Sequence, residues 1–126
     1  MARILVVDDN AEIQMLLVAL LQRAGHDVIE AADGIHVETE IHDTNPDLII
    51  LDLMMPILDG WSTLEQLKSK PSTSKIPVII TSALDGPDLL SRARNTGAAD
   101  YVPKPFQADE IISRINWALS ASEQAV

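Results

Sequence analysis

The 126-residue chain has no cysteine, only five glycines, two Trp, one Tyr and one Phe, and just nine basic residues. Without cysteine there is no disulfide, no thiolate metal site and no cysteine nucleophile. The glycines, at positions 25, 34, 60, 86 and 97, never fall into GxGxxG or GxxxxGKS/T, so no glycine-rich loop cradles a phosphate. Nine Lys and Arg against nineteen Asp and Glu give a net charge of −10. Phosphate backbones need clustered positive charge, so direct nucleic-acid binding is disfavoured. The apolar runs are no longer than strand-like segments such as Leu48 to Leu51, so no membrane insertion is expected. Met1-Ala2-Arg3-Ile4 leads straight into a strand pattern without a signal or transit peptide, and a cytoplasmic location is the expectation. His26, His36 and His42 show no metal-ligand spacing.

What is present is enough for one domain with its own core. The chain is 47% hydrophobic, which argues against disorder despite the charge. Ile4-Leu5-Val6-Val7, Leu48-Ile49-Ile50-Leu51 and Val78-Ile79-Ile80-Thr81 are continuous apolar runs, the pattern of strands buried on both faces. Weaker strand patterns cover 26–31 and 100–103. Between them, Ile13, Leu16, Leu17, Leu20 and Leu21 follow helical spacing along one face, and Gly25 is placed to end that helix. Further helices are expected at about 34–43, from Gly60 with Leu64 and Leu67, at 87–96 up to Gly97, and at 107–120 with Ile111, Ile112, Ile115 and Leu119 on one side. Asp33-Gly34 reads as a turn. Strand and helix alternate five times, which predicts an α/β fold: a five-stranded doubly wound parallel sheet in the order 2-1-3-4-5, with helices on both faces, flavodoxin-like. The domain is expected over 1–120, with a short tail at 121–126.

In such a sheet, ligands bind beyond the C-terminal strand ends. There the sequence puts Asp8 and Asp9 after the first strand, Asp52 after the third, Thr81 and Ser82 after the fourth and Lys104 after the fifth. Carboxylates about 4 Å apart repel by about 4 kcal/mol per pair at an effective dielectric of about 20. A cation relieves that, and all-oxygen ligands favour Mg²⁺, with Mn²⁺ as the alternative. A metal, a lysine and a hydroxyl around a carboxylate make a phosphoryl-transfer site with the carboxylate as nucleophile. Taken singly, strand-end Asp residues more often cap the next helix, a role open to Asp9 or Asn10.

The segments Ile4 to Asp9, Asp52-Leu53-Met54-Met55-Pro56-Ile57-Leu58-Asp59-Gly60, Thr81-Ser82-Ala83 and Gly97 to Phe106 together resemble the receiver domain of bacterial two-component response regulators, in the single-domain, CheY-like form. The resemblance implies that Asp52 is the phosphoacceptor. It implies that Asp8, Asp9, Asp52 and the backbone carbonyl of Met54 hold Mg²⁺, with Asp8 acting largely through water, and that Lys104 pairs with the phosphoryl group. Ser82, followed by the small Ala83, fits the switch hydroxyl, with Thr81 as the alternative. Tyr101 matches the switch aromatic, and Lys104-Pro105 the cis peptide bond. Met54 and Leu84 flank the water path in the family, which implies slow to moderate autodephosphorylation. The implied donor is a histidine kinase or a phosphotransfer protein. The implied receiver of the signal is a downstream protein or output domain, with a phosphorylation-dependent homodimer as one form. The output surface would be the fourth helix, fifth strand and fifth helix. Trp117 lies off the apolar face of the last helix and suits a partner contact or a ring lying on its own surface, whereas Trp61 suits packing. Such a domain catalyses its own phosphorylation and dephosphorylation and is not a turnover enzyme. An aspartyl-phosphate hydrolase is the rival class, but it commonly needs a second Asp two residues past the nucleophile, where this chain has Met54.

Overall fold

A computed structural model describes residues 2–31, 37–53, 60–83 and 87–124. Five strands alternate with five helices: β1 (Arg3–Val7), α1 (Ala11–Arg23), β2 (Asp27–Ala31), α2 (Val37–Thr44), β3 (Leu48–Asp52), α3 (Gly60–Ser69), β4 (Val78–Ser82), α4 (Pro87–Asn95), β5 (Asp100–Pro103) and α5 (Ala108–Gln124). The strands form one parallel sheet in the order β2-β1-β3-β4-β5, as the alternation predicts. β3 and β4 are buried along their whole length.

Strand alternation divides the core in two. Leu5, Val7, Ile49, Leu51, Val78 and Ile80 pack with Val37, Ile41, Leu64, Leu67 and Ala93 of α2, α3 and α4. Ile4, Val6, Leu48, Ile50, Ile79 and Val102 pack with Leu17 and Leu21 of α1 and with Ile111, Ile115 and Ala118 of α5. Gly25 (φ 92°) and Gly97 (φ 106°) end α1 and α4 in the left-handed conformation that glycine adopts freely.

Two expectations are corrected. Leu16 is 46% exposed, because the stripe that α1 buries is narrower than the apolar spacing and centres on Leu17 and Leu21. The last helix does not stop at 120 but runs through Gln124. Nothing between 108 and 124 breaks it, and Ala121, Glu123 and Gln124 are good helix formers. Pro103, which has no ladder donor, closes β5 at the sheet edge, where such a residue is tolerated. The Asp33-Gly34 turn and His36 lie outside the described residues.

Candidate functional site

Three strand ends meet where β1 and β3 run side by side. Val7 pairs in register with Leu51, so Asp8 and Asp52 emerge next to each other. Asp8 and Asp52 are 1% and 3% exposed, whereas Asp9 is open to solvent. One oxygen from each of Asp8, Asp9 and Asp52 lies within 4.8 Å of the others. Lys104 reaches in from the end of β5. Its Nζ is 2.9 Å from Asp8 Oδ2 and 3.5 Å from Asp52 Oδ1. Three carboxylates against one ammonium leave a formal charge of −2, held by hard oxygen donors. That donor set fits a small divalent cation such as Mg²⁺.

Local structure frees these carboxylates from capping. Asn10, not Asp9, is the N-cap of α1, its side-chain oxygen accepting from the N–H groups of Glu12 (3.0 Å) and Ile13 (3.1 Å). Asp8 Oδ1 accepts from the Asn10 N–H at 2.9 Å, which fixes the aspartate while leaving its other oxygen to Lys104. On the far side of Asp52, α3 is locked against the strand end. The Gly60 N–H donates to the Leu53 carbonyl at 3.0 Å, and an added Cβ at Gly60 would sit 2.5 Å from both Asp52 O and Leu53 Cα. Glycine is required there by the close approach of two backbones. Met54, with its carbonyl, and Leu84 lie outside the described residues.

The two candidate hydroxyls fall on opposite faces of β4. Thr81 is the register partner of Asp52, and Ser82, one residue on, pairs with Pro103. Both are buried. The Ser82 carbonyl accepts from the Lys104 N–H at 2.7 Å, so the ends of β4 and β5 are tied together. The Thr81 hydroxyl is buried with no hydrogen-bond partner. The Tyr101 ring is 7% exposed and packs in the core cluster that includes Ala93 of α4. The Lys104–Pro105 peptide bond is cis.

Beyond the site, Trp117 of α5 is 62% exposed, off the apolar face as its spacing predicts. It lines a groove with Arg94, Asp100 and Arg114. The buried Asp100 carboxylate accepts from Arg114 Nη1 at 2.8 and 2.9 Å. That hydrogen bond, and then the Asp100 charge, hold the Arg114 guanidinium above its ordinary pKa. Sequence spacing missed this pair, and it missed Arg92 of α4 stacking over the Trp61 ring at 4.1 Å. It also missed Lys68, whose Nζ donates to the carbonyls of Ser74 (3.0 Å) and Ile76 (2.7 Å) and whose pKa is lowered by burial. No described helix is long and apolar enough to cross a membrane.

Comparison with known proteins places this geometry in a family. Residues 4–116 match the response regulator receiver domain model. The chain is 36% identical over 124 residues to the DNA-binding dual master transcriptional regulator RpaA of Synechocystis, covering 98% of this chain and 52% of that protein. It is 34% identical over 119 residues to the chemotaxis protein CheY of Bacillus subtilis, covering 94% of this chain and 98% of CheY. The chain thus spans about half of RpaA but nearly all of CheY. Among solved structures, the receiver domain of the Francisella response regulator 1452 superposes with a TM-score of 0.89 at 35% identity, covering 97% of this chain and 99% of that one.

Proposed function

The chain belongs to the response regulator receiver family, and on that premise we propose that it is a phosphorylation switch in which Asp52 accepts the phosphoryl group from the phosphohistidine of a histidine kinase or phosphotransfer protein. The observation that carries this reading is the convergence, from three strand ends, of the Asp8, Asp9 and Asp52 carboxylates within 4.8 Å of one another, with Lys104 paired to Asp8 and Asp52.

Each residue has a role that its position supports. Asp52 is the nucleophile. Its carboxylate attacks phosphorus, the P–N bond breaks, and the pair leaves with the donor imidazole. Asp9 and Asp52, with the Met54 carbonyl and with Asp8 largely through water, would hold Mg²⁺, which would supply charge neutralisation for phosphoryl transfer. Lys104 gives a compact positive charge to the incoming phosphoryl group. Ser82 donates its hydroxyl to a phosphoryl oxygen, and Tyr101 follows that movement. The site transfers a phosphoryl group to and from its own side chain and turns over no outside substrate. The domain occupies residues 1–120, and α5 carries on past that boundary. Its partners are the phosphodonor and a downstream protein met through α4, β5 and α5. There the exposed Trp117 and the groove beside Arg94 and Arg114 supply aromatic and cationic contacts. The function is placed in the cytoplasm.

The test is direct. Incubation with Mg²⁺ and acetyl phosphate, followed by intact-mass measurement, is expected to show one phosphoryl adduct that Asp52→Asn lacks. No adduct on the native chain, or an adduct retained in the variant, refutes the reading.

A further inference from the structure

Thr81 is 1% exposed, and its hydroxyl has no hydrogen-bond partner. A buried hydroxyl without a partner is destabilising, and a valine of the same shape would avoid the penalty. The position of this one is specific. In a parallel sheet, register partners point to the same face. Thr81 is the partner of Asp52 on one side and of Val102 on the other. Ile79 and Val102 place that face toward α1 and α5. The unsatisfied donor therefore stands one strand away from the phosphoacceptor, on the acceptor's own side of the sheet.

Resting on the phosphoacceptor reading above, we infer that Thr81 is a second hydroxyl of the transfer site, donating from Oγ1 to the Asp52 carboxylate as the phosphoryl group leaves it. In the forward step, the Asp52 oxygen attacks the phosphorus of acetyl phosphate, the P–O bond to the acetyl group breaks, and its pair leaves with acetate. In hydrolysis, a water oxygen attacks phosphorus, the P–O bond to Asp52 breaks, and the pair returns to the carboxylate. The water proton passes to solvent, and inorganic phosphate departs. In the forward step the charge on the Asp52 carboxylate falls as its bond to phosphorus forms; in hydrolysis negative charge grows on it as the P–O bond breaks, while Lys104 is drawn to the phosphoryl oxygens. A donor from the neighbouring strand stabilises that charge. The Thr81 hydroxyl has no hydrogen-bond partner to give up, so the bond is gained on the way to the hydrolytic transition state, where it accelerates loss of the phosphoryl group. Ser82 has a different task, since it lies on the other face of β4 and one residue further along.

The experiment compares the native chain, Thr81→Val and Thr81→Ser in Mg²⁺. It follows phosphorylation by acetyl phosphate and loss of the adduct by intact mass, and thermal unfolding without phosphodonor. Thr81→Val is expected to unfold at a higher temperature, by about 2 °C or more, because the unsatisfied hydroxyl is gone. It is also expected to lose the phosphoryl group about ten- to 150-fold more slowly, the worth of one hydrogen bond to a charged oxygen, while its uptake from acetyl phosphate is not slowed. Thr81→Ser keeps the donor and restores most of the rate of loss. Loss of the adduct from Thr81→Val within twofold of the native rate, or faster, overturns the inference even where stability rises. A native chain that takes up no phosphoryl group overturns the phosphoacceptor reading itself, and this inference with it.

Discussion

Removing the charge of Asp52 should make the metal-free protein more stable. One oxygen of each of the three carboxylates lies within 4.8 Å of the others. At that separation and an effective dielectric of about 20, each pair repels by about 3.5 kcal/mol. Lys104, 3.5 Å from Asp52, returns about 4.7 kcal/mol on the same scale. Asp52→Asn relieves two repulsions and gives up one attraction, a net gain of about 2 kcal/mol. Asp9 faces solvent, so its share is screened and the expected gain falls to about 1 kcal/mol or somewhat more. For a domain of this size that is a rise in Tm of roughly 3–6 °C. The assay is thermal unfolding in EDTA and again in millimolar MgCl₂. The native chain should gain about 1.4 kcal/mol once Mg²⁺ reaches about ten times its Kd. The variant, with one ligand and one charge fewer, should gain less. A Tm in EDTA at or below that of the native chain shows that the three carboxylates are not in mutual repulsion and refutes the reasoning.

Three further outcomes follow from the neighbouring structure. Gly60→Ala places a Cβ 2.5 Å from two backbone atoms of β3 and its following turn, so the helix must shift. A loss of about 3 kcal/mol or more is expected in urea unfolding, and a loss under 1 kcal/mol would contradict the close approach. Asn10→Ala removes the acceptor for two α1 donors and should cost about 1 kcal/mol, restored by Asn10→Ser and read from the same urea midpoints. His26 has its pKa lowered by desolvation first and the N-terminal charge second, and its Nδ1 accepts from the Ala2 N–H at 3.1 Å. Because the folded form binds the proton less readily, stability is full above the unfolded value near 6.5 and is lost as pH falls through the lower folded value. His26→Asn keeps an acceptor near that position without titrating, and its Tm between pH 7.5 and 5.5 should fall less steeply than that of the native chain.

The architecture was legible because β3 and β4 are buried on both faces, so their sequences are apolar runs whose ends can be read to within a residue. Asp8, Asp52 and Lys104 follow from those ends and from the strand order alone. Other features leave no local trace. Whether Asp9 or Asn10 caps α1 depends on a single side-chain rotation. The width of the stripe that α1 buries depends on what faces it, and so Leu16 stays half in water. Arg114 meets Asp100 across a strand and a helix. Arg92 meets Trp61 across two helices and the strand between them in sequence. Lys68 is held by backbone carbonyls, which every residue possesses. The end of α5 was missed because nothing breaks the helix, and the absence of a stop signal is easily taken for a stop.

The way Lys104 is held explains how one covalent event could be felt at the sheet edge. Its ammonium is shared between Asp8 at 2.9 Å and Asp52 at 3.5 Å, and its backbone N–H is bonded to the Ser82 carbonyl at 2.7 Å. A phosphoryl group on Asp52 carries about −1.5 to −2 of charge in place of the carboxylate's −1 and competes with Asp8 for that ammonium. If Lys104 turns toward it, Asp8 loses its buried partner, and leaving a buried carboxylate unpaired is strongly unfavourable. A divalent cation held by the acidic cluster would remove the difficulty by pairing Asp8 in place of Lys104, and metal and phosphoryl group would then stabilise each other by linkage. The bond from the Lys104 N–H to the Ser82 carbonyl ties the backbone of that lysine to the end of β4, so a movement of Lys104 would be felt first where β4 and β5 end.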